Sequence, residues 1–170
     1  MMGGPQAGIL LGQKKTLDLL KKNPLNRALR IDKLTLAGLE STLRAYLDSD
    51  QALKILPVLS MLTCPLDELA GRAKKLQQKM IRGLSSSCQI TLREERSQVG
   101  GGALPLQTLP TRVLALRPLR ISAAVLEERL RRTNPPVIAR VKEEEVLLDL
   151  RTVAKEEEEP LQEAVRRALE

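Results

Sequence analysis

The stretch Cys88-Gln89-Ile90-Thr91-Leu92-Arg93 alternates apolar and polar residues. Successive side chains of a β-strand point to opposite faces of a sheet, so this alternation predicts a strand that is buried on one face. The composition also changes here, because the stretch follows a long leucine-rich segment with helical periodicity. We therefore expect a small sheet-containing domain to begin at about residue 86.

Further strand and helix signals follow this stretch to the end of the chain. They predict a strand at 112–117, a helix at 123–132 capped by Ser122, a hairpin of 137–141 and 146–150, and a last helix after the acidic run 156–159. Strands and helices in this order favour an α+β unit, with a mostly antiparallel sheet covered by helices on one face. Within an overall α/β protein, residues 86–170 are thus predicted to form a small C-terminal domain.

The first half of the chain is predicted to be helical. Helices are expected at 14–22, at 33–47 with Asp32 as N-cap, and at 65–84 with Gly83 as the terminating glycine, joined by a segment at 52–63 that is kinked at Pro57. Ile9-Leu10-Leu11 is an apolar run that predicts a buried strand without a neighbour to pair with. We expect residues 1–50 to be the remnant of a larger domain and residues 51–85 to be a linker with a long connecting helix.

The composition excludes several kinds of site. The chain has no His, no Trp, no Phe and one Tyr. A catalytic histidine, a histidine-ligated metal and a stacking platform for bases are therefore ruled out within it, and we expect no metal site. Cys64 and Cys88 form no CxxC motif and are interpreted as free cytosolic thiols. No signal peptide or membrane span is apparent, so we expect a cytoplasmic protein.

The positive charge lies entirely in the first half of the chain. Residues 1–85 carry 14 Lys and Arg against 7 Asp and Glu, whereas residues 86–170 carry 14 of each. Within the basic region, Arg27 and Arg30 are three residues apart, which would put both guanidinium groups on one face of a helical turn. The planar guanidinium group presents a fork of N–H donors that can bind phosphate or carboxylate, although two solvated surface arginines would have the same spacing.

Two glycine-rich stretches could approach a ligand closely. Gly3-Gly4-Pro5-Gln6-Ala7-Gly8 surrounds a proline with small residues, and Gly100-Gly101-Gly102 could cradle a phosphate through its backbone N–H groups. The second stretch matches neither a P-loop nor GxGxxG, and a tight backbone crossing is the favoured interpretation.

Several motifs together match a known family. They are Gly3-Gly4-Pro5-Gln6-Ala7-Gly8-Ile9, Asn23-Pro24-Leu25 with Arg27-Ala28-Leu29-Arg30, Asp32-Lys33-Leu34-Thr35, Val99-Gly100-Gly101-Gly102 with Leu104-Pro105, Pro136-Val137-Ile138-Ala139-Arg140, and Leu148-Asp149-Leu150-Arg151-Thr152-Val153. In this order they resemble the bacterial selenocysteine synthases, or L-seryl-tRNA(Sec) selenium transferases. These are pyridoxal phosphate enzymes of the aspartate-aminotransferase fold type, fold type I.

The resemblance implies roles for four residues. Arg27 and Arg30 match the family's arginines that suit the anionic selenium donor, and Gly3 and Gly4 are expected close to the cofactor. The lysine that bonds the cofactor lies just upstream of the Gly-Gly-Pro-Gln-Ala-Gly stretch in the family. We therefore expect a C-terminal fragment without its own catalytic residue. Residues 1–50 would be the end of the cofactor-binding large domain.

The resemblance also implies the reaction and the partners. The full enzyme would convert L-seryl-tRNA(Sec) to L-selenocysteinyl-tRNA(Sec) with selenophosphate, using pyridoxal phosphate as the cofactor, and it would assemble as a ring of dimers. The fragment alone is expected to be inactive, and to be a homo-oligomer such as a dimer. Two alternatives remain open: a related pyridoxal phosphate lyase acting on a phosphorylated amino sugar, and a non-enzymatic basic module for RNA interaction or oligomerisation.

Overall fold

The computed structural model describes residues 2–100 and 106–170. Gly101 and Gly102, where a tight backbone crossing is the favoured prediction, lie outside these residues. The chain divides into two compact units, Met1–Ser60 and Met61–Glu170. None of the helices within the described ranges is long and apolar enough to cross a membrane.

The first unit is helical. Its helices are α1 (Lys14–Lys21), α2 (Leu25–Ala28), α3 (Lys33–Ala45), α4 (Ser49–Ile55) and α5 (Pro57–Thr63), the last of which runs past Ser60. The side chain of Asp32 accepts hydrogen bonds from the backbone of Leu34 and Thr35 at 2.8 and 2.9 Å, which confirms the predicted N-cap of α3. Asp48 caps α4 in the same way.

Two expectations for this unit were wrong. Ile9, Leu10 and Leu11 form no strand, and Leu11 is 90% exposed. The described part of the unit contains no strand that could pair with them, and an unpaired strand leaves its backbone groups without partners. Pro57 does not kink one connector but begins α5, a position where the missing N–H of proline costs nothing.

The second unit is a four-stranded antiparallel sheet with helices on one face. Its elements are α6 (Leu66–Leu84), β1 (Cys88–Gln98), β2 (Thr108–Pro118), α7 (Ala123–Arg131), β3 (Arg140–Lys142), β4 (Glu145–Asp149) and α8 (Glu158–Leu169). The strand order is β1-β2-β4-β3. Cys88 pairs with Pro118, Val113 with Asp149 and Lys142 with Glu145. The predicted antiparallel sheet is thereby confirmed.

The main core lies between α6, α7, α8 and one face of the sheet. It contains the predicted apolar stripe of α6 and alternate residues of β1, β2 and β4: Leu69, Ala73, Leu76, Met80, Leu84, Ile90, Leu114, Leu116, Leu126, Leu130, Val146, Leu148 and Val165. Leu66, expected in the stripe, is 39% exposed because it stands in the first turn. Gly83 does not end α6, since the helix continues to Leu84, and Pro65, the first residue of the predicted helix, is its N-cap.

The opposite face of the sheet is covered by charged side chains. Val113, Ala115 and Leu147 form a second cluster there, each at most 2% exposed. Arg93 reaches Glu145 at 2.6 Å, and Lys142 reaches Glu95 at 2.7 Å. Long charged side chains can bury apolar surface under their methylene groups while the charged ends meet water.

The hairpin of β3 and β4 is tighter than predicted. Its first strand begins at Arg140 instead of Val137, and only Glu143 and Glu144 form the turn. Both have positive φ, 52° and 61°, which is the backbone that a two-residue turn requires to match the twist of the flanking strands.

Candidate anion-binding site

Arg27 and Arg30 lie at the short helical turn that follows α1. The turn is fixed by its asparagines: the Asn23 side chain accepts a hydrogen bond from the Leu25 backbone at 2.9 Å, and the Asn26 side chain donates to the Leu20 backbone oxygen at 2.8 Å. An asparagine that bonds its own backbone favours such turns over a continuing helix. The local sequence therefore explains why the chain turns here.

Both arginines are exposed. Within residues 2–100 and 106–170, neither side chain has an acidic partner within 4 Å or a hydrogen bond. The nearest acid in sequence, Asp32, is committed to capping α3 and also accepts a hydrogen bond from the Thr35 hydroxyl at 2.5 Å. These hydrogen bonds, chiefly that from Thr35, lower the pKa of Asp32. The positive charge of Arg27 and Arg30 is thus left uncompensated.

The helical turn does not extend over both arginines. α2 ends at Ala28, and its C-cap, Leu29, has φ −94° and ψ 11°. Arg30 therefore stands outside the helix, and the shared face inferred from the spacing stays a prediction. What the structure adds is that both guanidinium groups remain available to an anion.

Gly3 and Gly4 pack against their own unit. A Cβ atom at Gly3, where φ is +84°, would lie 2.6 Å from Val58 Cγ1, and one at Gly4 would lie 2.5 Å from Thr42 Oγ1. Thr42 is buried, and its hydroxyl donates to the Gly38 backbone oxygen at 2.9 Å. Internal packing alone thus accounts for glycine at both positions. Their proximity to a cofactor stays a prediction.

Sequence reasoning missed a polar cluster in the second unit, formed by Ser97, Thr111, Asp149 and Arg151. Asp149 accepts hydrogen bonds from the hydroxyls of Ser97 and Thr111 and from the Arg151 backbone. Arg151 is 8% exposed, and within the described chain its Nε has no partner. Both Asp149 and Arg151 belong to the family motif at 148–153, but the partners that join them to β1, β2 and the start of α6 are 38 or more positions away, beyond the reach of any local pattern.

A pocket of about 270 Å³ lies beside this cluster. Ser97, Asp149 and Arg140 line its polar end, and the apolar end includes Val137 and Leu161. The Arg140 guanidinium is 4.0 Å from Asp149 Oδ2, so it balances the charge of the carboxylate at the pocket rim. Since Asp149 is already satisfied by its own neighbours, the cluster is best explained as a structural joint between β1, β2 and β4.

Comparison with known proteins decides the family. A family model described as L-seryl-tRNA selenium transferase matches residues 1–154. The chain belongs to the L-seryl-tRNA selenium transferase family. It is similar to the L-seryl-tRNA(Sec) selenium transferase of Geobacter sulfurreducens, with 49% identity over 90% of this chain and 33% of that protein. The family members of Desulfovibrio desulfuricans and Moorella thermoacetica are 47% and 45% identical over 99% and 100% of this chain, each over 36% of its own length.

Family membership covers both units, because the match to the Moorella protein extends over 100% of the chain. The chain spans about a third of the length of these relatives. The family therefore accounts for the whole of this sequence, while most of each relative has no counterpart in it.

Proposed function

We propose that this chain is the C-terminal part of an enzyme that converts L-seryl-tRNA(Sec) to L-selenocysteinyl-tRNA(Sec) with selenophosphate. The observation that carries the proposal is the match to relatives named L-seryl-tRNA(Sec) selenium transferase at 43–49% identity over at least 90% of the chain. The proposal extends to a cytoplasmic enzyme built as a homo-oligomeric ring of dimers. In this enzyme, residues 1–50 would be the end of the large domain and residues 86–170 would form the small domain. Residues 51–85 would be the linker and connecting helix between the two domains.

In this proposal Arg27 and Arg30 bind the selenium donor. Selenophosphate is a small anion with several oxygens, and two uncompensated guanidinium groups suit it through charge-assisted hydrogen bonds. Their exposure and the commitment of Asp32 to its capping role support this assignment. By neutralising the phosphate, the arginines would hold the selenium atom in position for transfer.

At Gly3 and Gly4, the two residues expected near the cofactor, the described structure leaves no open space for pyridoxal phosphate. The space over Gly3 and Gly4 is filled by Val58 and Thr42. We therefore assign the cofactor to the full-length enzyme, where it would supply the electron sink for chemistry at the seryl group. This chain alone is expected to be inactive.

The test uses the full-length enzyme that contains this sequence. Replacing Arg27 and Arg30 together by Ala should raise the KM for selenophosphate strongly, with a smaller effect on the KM for seryl-tRNA. The matched control replaces Lys21 and Lys22, two exposed cations at the end of α1, by Ala and should leave the selenophosphate KM close to that of the parent. An unchanged selenophosphate KM in the double arginine variant would remove the assignment.

The alternative functions receive no support from the relatives' names. A lyase for a phosphorylated amino sugar would use an anion site equally well, but the matched relatives carry the name of a selenium transferase instead. A purely non-enzymatic basic module is likewise not favoured. If the full-length enzyme released a keto product from a phosphorylated amino sugar and did not act on seryl-tRNA, the first alternative would replace the proposal.

A further inference from the structure

The outer side of α6 is basic in the second half of the helix. Lys74, Lys75, Lys79 and Arg82 are all exposed, and we call them the basic face of α6. With 3.6 residues per turn they fall within an arc of about 140° around the helix. The sequence from residue 69 to residue 93 contains six Lys and Arg and no Asp or Glu, so the acids of α6, Asp67 and Glu68, are confined to its first turn.

Acids from other elements do little to neutralise the basic face. In the part of the chain that the structure describes, Lys74, Lys75 and Arg82 have no acid within 4 Å. Lys79 lies 3.6 Å from Glu159, but the two side chains are 57% and 84% exposed, and so open an ion pair contributes little. Elsewhere in this unit several exposed arginines at α7 and α8 are paired with acids, for example Arg132 with Glu128. Among the described residues, three of the four cations of the basic face lack such a partner.

The opposite side of the same helix is fixed in the core. Leu69, Ala73 and Met80 are fully buried, and the Gln77 side chain donates to the Ile90 backbone oxygen of β1 at 2.9 Å. The cations are thus presented by a rigid helix of 19 residues. Beyond its end, the Leu119 backbone donates to the Ser87 oxygen at 2.9 Å, which places the exposed Arg120 in the loop next to the end of the helix.

We propose that the basic face of α6 binds the phosphate backbone of RNA. Cations one turn apart on a rigid helix, with the Gln78 amide and the hydroxyls of Ser85 and Ser87 beside them, suit a row of phosphates and sugar hydroxyls. A membrane surface is the less suitable partner, because a helix that binds lipid inserts its apolar side, and that side of α6 is already buried. The inference rests on the proposed function only in taking a tRNA as the natural RNA.

The test measures binding of the full chain to a fluorescently labelled tRNA transcript as a function of salt. The first variant replaces the four residues of the basic face by Ala, the best helix former. The control replaces Arg131, Arg132, Arg166 and Arg167 by Ala; these lie in a helix or at its C-cap and are also exposed, but they are paired with Glu127, Glu128 and Glu163. Both variants lose four positive charges, so the net charge is matched, and circular dichroism checks the helices.

The basic-face variant should bind the transcript about tenfold or more weakly at low salt, and the dependence of log K on log salt should become shallower by about one for each phosphate that no longer meets a cation. The control should stay within about threefold of the parent chain. Equal weakening in both variants, or no change in the basic-face variant, would overturn the proposal. So would loss of binding to phosphatidylserine vesicles in the basic-face variant with RNA binding intact.

This result is independent of the selenophosphate experiment. If the arginine variant of the full-length enzyme kept its selenophosphate KM while the basic face proved necessary for tRNA binding, only the donor assignment would fail. If tRNA binding were lost only when Lys15, Lys21 and Lys22 of the first unit were replaced by Ala, the surface on α6 would be wrong and the proposed function would stand.

Discussion

The Arg151 guanidinium donates to the backbone oxygen of Pro110 at 2.7 Å, across 41 positions of sequence. Its other terminal nitrogen donates to the oxygens of Met61 and Cys64, at 2.9 and 3.2 Å, just before α6 begins. One side chain thus joins the segment after β4 to β2 and to the start of the longest helix. We expect the second unit to depend on this junction, because it joins three segments that are far apart in sequence.

Replacing Arg151 by Met should therefore destabilise the protein by about 2–4 kcal/mol, since three partly buried hydrogen bonds to backbone carbonyl groups would lose their charged donor. Urea denaturation measures the change. The control is Arg132→Met, whose side chain is 77% exposed and should cost less than about 1 kcal/mol. If Arg151→Met does not fold, Arg151→Lys keeps the charge without the fork and should still be clearly less stable than the parent. Equal stability of the Arg151 and Arg132 variants would contradict this role.

The ion pair of Arg72 and Glu158 connects α6 to α8 and should be energetically coupled. Arg72 Nε lies 2.6 Å from Glu158 Oε1, with the side chains 14% and 21% exposed, and Arg72 also donates to the Val153 oxygen at 2.6 Å. A double-mutant cycle with Arg72→Met and Glu158→Gln should give a coupling free energy of about 1–2 kcal/mol. The exposed pair Arg44 and Glu40 within α3 serves as the comparison and should give about 0.5 kcal/mol or less. Additive effects at Arg72 and Glu158 would show that the pair is not coupled.

Gly4→Ala should destabilise the first unit. The new methyl group would meet Thr42, a β-branched residue held inside α3, so neither the helix nor the side chain can yield cheaply. We expect a loss of about 1–3 kcal/mol, read from hydrogen exchange of the α3 amides. Gly8→Ala is the matched control, because a Cβ there meets nothing within 4 Å. Unchanged exchange in Gly4→Ala would mean that the chain around Gly4 shifts without cost.

The Cys88 thiol should make stability fall at alkaline pH. Burial raises the pKa of Cys88 to about 11, from about 9 in the unfolded chain. A folded-state pKa that is raised gives stability that is fully present below pH 9 and is lost as pH rises towards 11, because only the unfolded chain ionises easily there. Cys88→Ala should remove this part of the pH dependence.

In the native protein at pH 8, Ellman's reagent should label Cys64 and not Cys88, which is 1% exposed. Rapid labelling of Cys88 would contradict its burial.

The sequence predicted what local patterns determine. The alternation from Cys88 and the stripe from Leu69 to Leu84 placed β1 and α6 correctly, because burial on one face of a strand or helix leaves a periodic trace. Asp32 and Ser122 were recognised as N-caps for a similarly local reason. These signals were sufficient to predict an antiparallel sheet covered by helices.

The sequence failed where distant residues decide the outcome. The apolar run at 9–11 has the composition of a strand, but a strand requires a neighbour that composition does not reveal. Asp149 and Arg151 are satisfied by β1, β2 and the start of α6, so their roles depend on the assembled fold. For the candidate site, spacing singled out Arg27 and Arg30, but only the structure shows that neither has an acidic partner among the described residues.

The ion pairs over Val113, Ala115 and Leu147 have a consequence for how this region can evolve. A β-sheet with one helical layer ordinarily acquires a second layer or a neighbouring subunit to hide its remaining side. Here the ion pairs already cover the apolar side chains of Val113, Ala115 and Leu147, so this face of the sheet can contact water while these side chains stay buried. Replacing one of these charged residues by leucine would enlarge the exposed apolar surface of this face and favour association with other molecules.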